Sequence, residues 1–173
     1  MENQVSSKSI IVNTGIQFGA AGVLVSVASY AMGAHLDPHW SVQVISVAML
    51  VGFLVFGIKK FKTANGGFLT FGQAVKVGVG ISVLAALVSV VYNYIFTSFI
   101  EPDFMNQLIE VQNQKWVEQG MTEEQIEASN AMMEGFQSPL LSSAVGIIAS
   151  AFFGFVVSAI AGAILKKSPE EQY

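Results

Sequence analysis

Two imidazoles and a carboxylate stand within five residues at His35-Leu36-Asp37-Pro38-His39. Imidazole nitrogens and carboxylate oxygens are the donors that zinc and copper accept. His35, Asp37 and His39 are therefore the candidate metal ligands, with Glu101 or Asp103 available as a fourth. Pro38 and the short turn limit how well these side chains converge, so a polar turn at the membrane surface is the favoured reading and no cofactor is expected. Met105, Met121, Met132 and Met133 lack a neighbouring Cys or His and read as packing residues rather than soft-metal ligands. The chain has no cysteine, which removes thiol redox chemistry and cysteine metal sites.

Neutral polar side chains offer a second kind of chemistry. Asn13 and Gln17, one helical turn apart, and Gln43, Asn93 and Thr97 sit in otherwise apolar sequence. Such groups bond one helix to another, or line a pocket for a neutral solute or a lipid headgroup. Gln17, Asn93 and Thr97 are the candidate ligand-binding residues. Catalysis has no positive support: there is no nucleophile-base pair and no HExxH motif. Gly66-Gly67 and Gly78-Val79-Gly80 lack the strand and lysine context of a phosphate loop, and no basic patch offers itself to nucleic acid. The chain is expected not to be an enzyme.

The elements that must hold these residues are legible in the charges. The 173 residues carry 8 lysines, no arginine and 12 acids, and 53% are hydrophobic. That is far less charge than the roughly 25% of a soluble domain. Charges are absent from 9–36, 38–58, 77–100 and 135–165. At about 1.5 Å of rise per residue, each stretch crosses a bilayer core about 30 Å thick. A soluble enzyme domain is excluded and an all-α fold follows. The expectation is one integral membrane domain over 1–173, a four-helix bundle with spans near 10–33, 39–58, 72–99 and 139–165. An extramembrane helical hairpin over 101–137 lies between spans three and four. A cleaved signal peptide ending near Ser29-Tyr30-Ala31 is the alternative for the first stretch, but the run exceeds the roughly 7–15 residues of a signal core.

Lysines tend to remain on the cytoplasmic side of an inserted protein. Lys8, Lys59, Lys60, Lys62, Lys76, Lys166 and Lys167 all fall on one side of a four-span chain. The 101–134 segment on the other side has eight acids against Lys115 alone. Both termini are thus expected in the cytoplasm and the acidic loop outside. Asp37-Pro38 breaks the first helical hairpin, so spans one and two are antiparallel neighbours. Thr70-x-x-Gln73 has capping-box form for a helix starting near Phe71. Tyr30, Trp40, Tyr92, Tyr94 and Phe99 gather near the outer ends, as interfacial aromatics do.

Lipid tails are as apolar as leucine, so spans associate through small residues that let backbones approach and polar groups that bond across. Gly15, Gly19, Gly22, Ser26, Ser29 and Gly33 repeat in span one; Gly78, Ser82, Ala85, Ser89 and Asn93 in span three; Ser142, Gly146, Ser150, Gly154, Ser158 and Gly162 in span four. A compact bundle is the favoured reading of these stripes over a substrate path or a homo-oligomer face. The strict four-residue repeat of span four drifts around its helix, so that span is expected to touch two neighbours. Span two, with Ala48 and Gly52 only, is expected to be the most lipid-exposed. Leu24-Val25-Ser26-Val27 recurs as Leu87-Val88-Ser89-Val90, a hint of a duplicated hairpin.

Outside the membrane, Phe104, Leu108, Val111 and Lys115 follow helical spacing, with Ile109 and Trp116 beside them. Gly120 ends that helix. Thr122-Glu123-Glu124-Gln125 caps a second one bearing Ile126, Met133 and Phe136, and Ser138-Pro139 turns the chain into span four. The pair is expected to fold over the outer mouth of the bundle. Phe104 and Trp116 are the candidate contacts for an unidentified membrane or periplasmic partner.

Gly66-Gly67-Phe68-Leu69-Thr70-Phe71-Gly72-Gln73-Ala74, then Val91-Tyr92-Asn93-Tyr94-Ile95-Phe96 and Ile100-Glu101-Pro102-Asp103-Phe104, resembles the uncharacterised bacterial membrane family DUF4199, found mainly in Bacteroidota. The similarity extends over nearly the whole chain. The resemblance implies an inner-membrane protein with four spans and a periplasmic loop, and it carries over no catalytic residues. Taken together, the residues point to a non-catalytic structural or accessory component of the membrane. The alternative is a small channel, carrier or lipid-binding protein with a neutral polar site in the bundle.

Overall fold

A computed structural model describes residues 7–134 and 138–167. Those residues form six α-helices and no β-strand: α1 (Ser7–Ala31), α2 (Trp40–Ala64), α3 (Phe71–Ile95), α4 (Phe104–Glu118), α5 (Glu123–Glu134) and α6 (Pro139–Leu165). A π-helical turn, Phe96–Ile100, continues α3. α1, α2, α3 with its π turn, and α6 are each long and apolar enough to cross a membrane. Phe136, expected on the apolar side of the second outer helix, lies outside the described residues.

The helix ends have local causes. Thr70 and Gln73 close a reciprocal capping box at the start of α3, and Thr122 and Gln125 do the same for α5. Such boxes satisfy backbone N–H groups that the first turn leaves without partners. Gly120 ends α4 with φ +80°. Gly33 also has positive φ, +67°, beyond the end of α1, so it terminates that helix rather than extending its small-residue stripe. α2 runs past its uncharged stretch to Ala64 and carries Lys59, Lys60 and Lys62 with it. The Lys62 ammonium then reaches the Leu165 carbonyl at 2.8 Å, a cation on the last turn of α6 where the helix dipole favours it. Leu69 and Lys167 exchange two backbone hydrogen bonds of 2.9 Å, tying the α2–α3 turn to the same helix end.

α3 is the centre of the bundle, with α1 and α6 on either side and α2 across all three. Small residues set the spacing. A Cβ added at Gly15 or Gly19 would come within 2.7 or 2.6 Å of Leu84 or Val88, so α1 lies directly on α3. Along α6 the four-residue repeat walks up α3 in the antiparallel sense: Gly162 on Ala74, Ser158 on Gly78, Gly154 on Ser82. Ser150 then donates to the Ser82 carbonyl at 3.0 Å. α6 touches α2 as well as α3, as its drifting stripe requires. The buried core, Leu54, Ile58, Leu69, Ala74, Val77, Ile81 and Ala161, fills this half of the bundle, toward the lysines.

Toward the acidic hairpin α2 and α6 cease to pack closely. None of the α2 residues from Trp40 to Val51 is buried, and none of the first fifteen of α6. A Cβ at Gly22, Gly52 or Gly146 would meet nothing within 4 Å among the described residues. α2 is the most exposed span, 17% buried against 33% for α3. The stripes thus divide by depth, serving as contact in one half and as an open wall in the other.

Gly154→Leu should destabilise the detergent-solubilised protein by about 1–3 kcal/mol, the usual effect of overpacking, whereas Gly146→Leu leaves its melting temperature unchanged. Ser158 is fully buried with a hydroxyl that meets no hydrogen-bond partner among the described residues. Ser158→Ala should therefore be neutral or stabilising by up to about 2 kcal/mol, since an unsatisfied buried hydroxyl costs about that much. Thermal melts of the three variants check both expectations.

Candidate functional site

Where the helices part they enclose a cavity of about 640 Å³. Phe18, Ala85 and Met49 lie on its inner side, next to the packed core. Its walls carry hydroxyls from every span: Ser26 and Ser29 of α1, Ser46 of α2, Ser89 of α3, and Ser142, Ser143 and Ser150 of α6, with the Asn93 amide among them. Ser26, Ser46, Ser89 and Asn93 are exposed although they face into the bundle, so the space is open rather than sealed. Among the described residues no lysine, aspartate or glutamate lines it.

The hydroxyls are of two kinds. Ser46, Ser89 and Ser142 donate to carbonyls of their own helices at 2.8, 3.1 and 3.3 Å, and Ser150 donates across to α3. These oxygens turn acceptor lone pairs to the cavity. Ser26, Ser29, Ser143 and the Asn93 amide have no side-chain hydrogen bond among the described residues, and Ser29 is only 6% exposed. They supply donors. A neutral ligand with both hydroxyl-like and carbonyl-like atoms would be satisfied on apolar walls, and the absence of opposing charge disfavours an ion.

At the hairpin end the mouth is ringed by aromatics around His35. Its ring stacks on Phe104 with centroids 6.0 Å apart and meets Tyr30 edge-on at 4.9 Å. Phe96 packs against Tyr30, Tyr92 and Phe104. His35 Nε2 lies 2.8 Å from Glu101 Oε2, with the two side chains 16% and 15% exposed. The angles fall short of a hydrogen bond, and Nδ1 has no partner among the described residues either. The two groups are close, shielded and under-bonded, which leaves polar capacity for a ligand at the mouth.

The sequence candidates scatter. His35 turns to Glu101, Asp37 pairs with Lys115 of α4, and His39 caps α2 through Ser41. The three do not converge, and no described group of three such residues is placed to hold a metal; the intervening proline and the start of α2 send them in different directions. Glu101, named as a fourth ligand, does meet His35. Of the ligand candidates only Asn93 lines the cavity. Gln17 is exposed on the opposite face of α1, and the Thr97 hydroxyl donates to its own Asn93 carbonyl at 2.9 Å. Phe104 is packed at the mouth rather than presented outward, and Trp116 is half-buried. Sequence reasoning missed Ser46, Ser143 and the Phe96 ring as site residues; the concentration of serines in the outer halves of the spans was the available signal. A groove of similar size along α4 is lined by that helix alone among the described residues, so nothing converges on it.

The chain has no native cysteine, so accessibility is directly measurable. Introduced thiols at Ser89→Cys and Ser46→Cys should be alkylated by a small reagent in the folded protein within minutes. Val77→Cys, 1% exposed in the core, should react only after denaturation. Equal protection at all three positions contradicts an open cavity.

No curated protein and no solved structure matches this chain. A family model does match, over residues 13–167. It takes in all of α2, α3 and α6, α1 from Asn13 onward, and the cavity with its mouth, and the four apolar helices of the fold agree with a multi-pass membrane protein. The chain belongs to the family described as protein of unknown function (DUF4199).

Proposed function

We propose that this protein is a non-catalytic, membrane-embedded binder of a neutral amphiphile, held in the hydroxyl-lined cavity with its polar part at His35 and Asn93. The observation that carries this is the opening of the bundle at membrane depth onto both donors and acceptors. Hydroxyls facing hydrocarbon would be poorly satisfied, and a lipid-like molecule with a polar end matches apolar walls and polar points together. A binding role is favoured over catalysis because the bonded serines donate to backbone carbonyls and none of them donates to His35, the side chain that would have to activate them.

The bacterial inner membrane is the proposed location, with both termini in the cytoplasm. Seven lysines gather at the packed end of the bundle, and the acidic α4–α5 segment stands at the other, in the periplasm. A second reading has an observation of its own. α4 and α5 touch each other sparsely and expose Val117 and Met132, at 64% and 78%. That combination supports the hairpin as a contact for a periplasmic or membrane partner, to which the bound amphiphile would be presented.

Native mass spectrometry of protein released from mild detergent should show one co-purifying amphiphile per chain. Gly146→Trp, whose side chain has open space to fill, should lose the adduct and keep the wild-type melting temperature. Absence of any adduct from the wild type, or its full retention in the variant, overturns the proposal. A fused reporter at the C-terminus should report the cytoplasm.

A further inference from the structure

The face of α1 opposite the cavity carries polar groups that this chain does not satisfy. Gln17 is exposed and makes no hydrogen bond among the described residues; Asn13 is exposed and makes only a long contact of 3.4 Å to Ser9. Along α1, Gln17 lies about 13 Å from the level of Lys8 and about 20 Å from that of Tyr30, at 1.5 Å per residue. Its amide therefore sits near the middle of the hydrocarbon, where no water can bond it. The remedy expected within the bundle, a bond to another span, is absent because α1 turns Gly15 and Gly19 to α3 and Phe18 to α2.

Asn13, Gln17, Ala20, Leu24 and Val27 are all exposed and follow one another at intervals of 4, 3, 4 and 3. That is the spacing of a left-handed helix seam, and polar residues within such a seam set its register. We propose that this face pairs with the same face of a second copy, giving a parallel dimer with α1 against α1. The choice of a second copy follows from chemistry and topology. A carboxamide is its own complement, donating through nitrogen and accepting through oxygen. Two copies inserted with the same orientation run their α1 helices parallel, so a two-fold axis along the membrane normal brings Gln17 opposite Gln17 and Asn13 opposite Asn13. Ala20 lets the backbones close in at the next contact. Gly22, Ser26 and Ser29 stay on the other side of the helix, so the dimer leaves the cavity mouth free.

Single-cysteine variants of the cysteine-free chain test this in native membranes. Under a membrane-permeant oxidant, Ala20→Cys and Leu24→Cys should give a disulfide-linked band at twice the protomer mass. Ile148→Cys and Ile160→Cys, lipid-exposed on α6, should not. Adding Gln17→Leu to Leu24→Cys should reduce dimer formation about three- to tenfold, the scale of one interhelical polar bond in a membrane, and Gln17→Asn should retain most of it. Gln17 is exposed and makes no hydrogen bond among the described residues, so its replacement should leave the fold intact, and an unchanged melting temperature controls for it. Crosslinking that is absent on α1, equal on α6, directed to a different protein, or indifferent to Gln17→Leu overturns the proposal.

Discussion

Hydrocarbon gives an apolar helix no reason to prefer another helix over lipid, so shape has to hold these spans together. Where Gly78 lies under Ser158 and Gly154 under Ser82, α3 and α6 approach until their side chains interlock. On the other side of α3, Gly15 and Gly19 allow the same for α1. Everything in the lysine half depends on that approach, including the placement of Leu54 and Ile58 of α2 over the resulting core. The outer half has the small residues without the matching partners. Serines and glycines on four helices then face one another across a gap, and the cavity is what remains when a stripe continues beyond the contact that uses it.

The two ends of the bundle are also tied with different strength. At the lysine end a backbone bridge between Leu69 and Lys167 and a charged bond from Lys62 to Leu165 fasten the α2–α3 turn to α6. A bond to a charged group near a helix terminus is among the stronger kinds. At the hairpin end the links are the Asp37–Lys115 pair, whose side chains are substantially exposed, and the His35–Glu101 contact, which is close without good alignment. Exposed pairs contribute little. A molecule with one stiff end and one loosely held end places its adaptable part where the cavity is, in keeping with binding regions being drawn from the less stable parts of proteins.

The membrane fold was readable because it follows from lengths and charges, which do not depend on tertiary detail. The spans, the two capping boxes, the glycine stop at Gly120 and the proline start at Pro139 all come from local chemistry, and the structure places them within a few residues. α2 runs past its uncharged stretch for a reason no local rule contains, the reach of Lys62 to another helix. The site was less legible. His35 and Glu101 are 66 positions apart and meet only because the π turn after α3 brings Glu101 back beside the α1–α2 turn. Ser46 and Ser143 looked like ordinary span residues, since nothing local says that α2 leans away from α3. The metal alternative at His35, Asp37 and His39 needs closeness in sequence to become closeness in space, and the proline turn followed by a new helix sends the three side chains apart.

Gln17 and Asn93 are both polar in apolar spans, yet the packing stripe of α1 sets which way Gln17 points. Gly15, Gly19 and Gly22 mark the side that meets α3 and the cavity, and at 3.6 residues per turn Gln17 projects well away from them. A polar residue on the packing side of a span is accounted for within its own bundle; one on the far side is accounted for only by something outside it. Direction relative to the small-residue stripe, more than polarity, separates the serines of the cavity from the amides of the outer face.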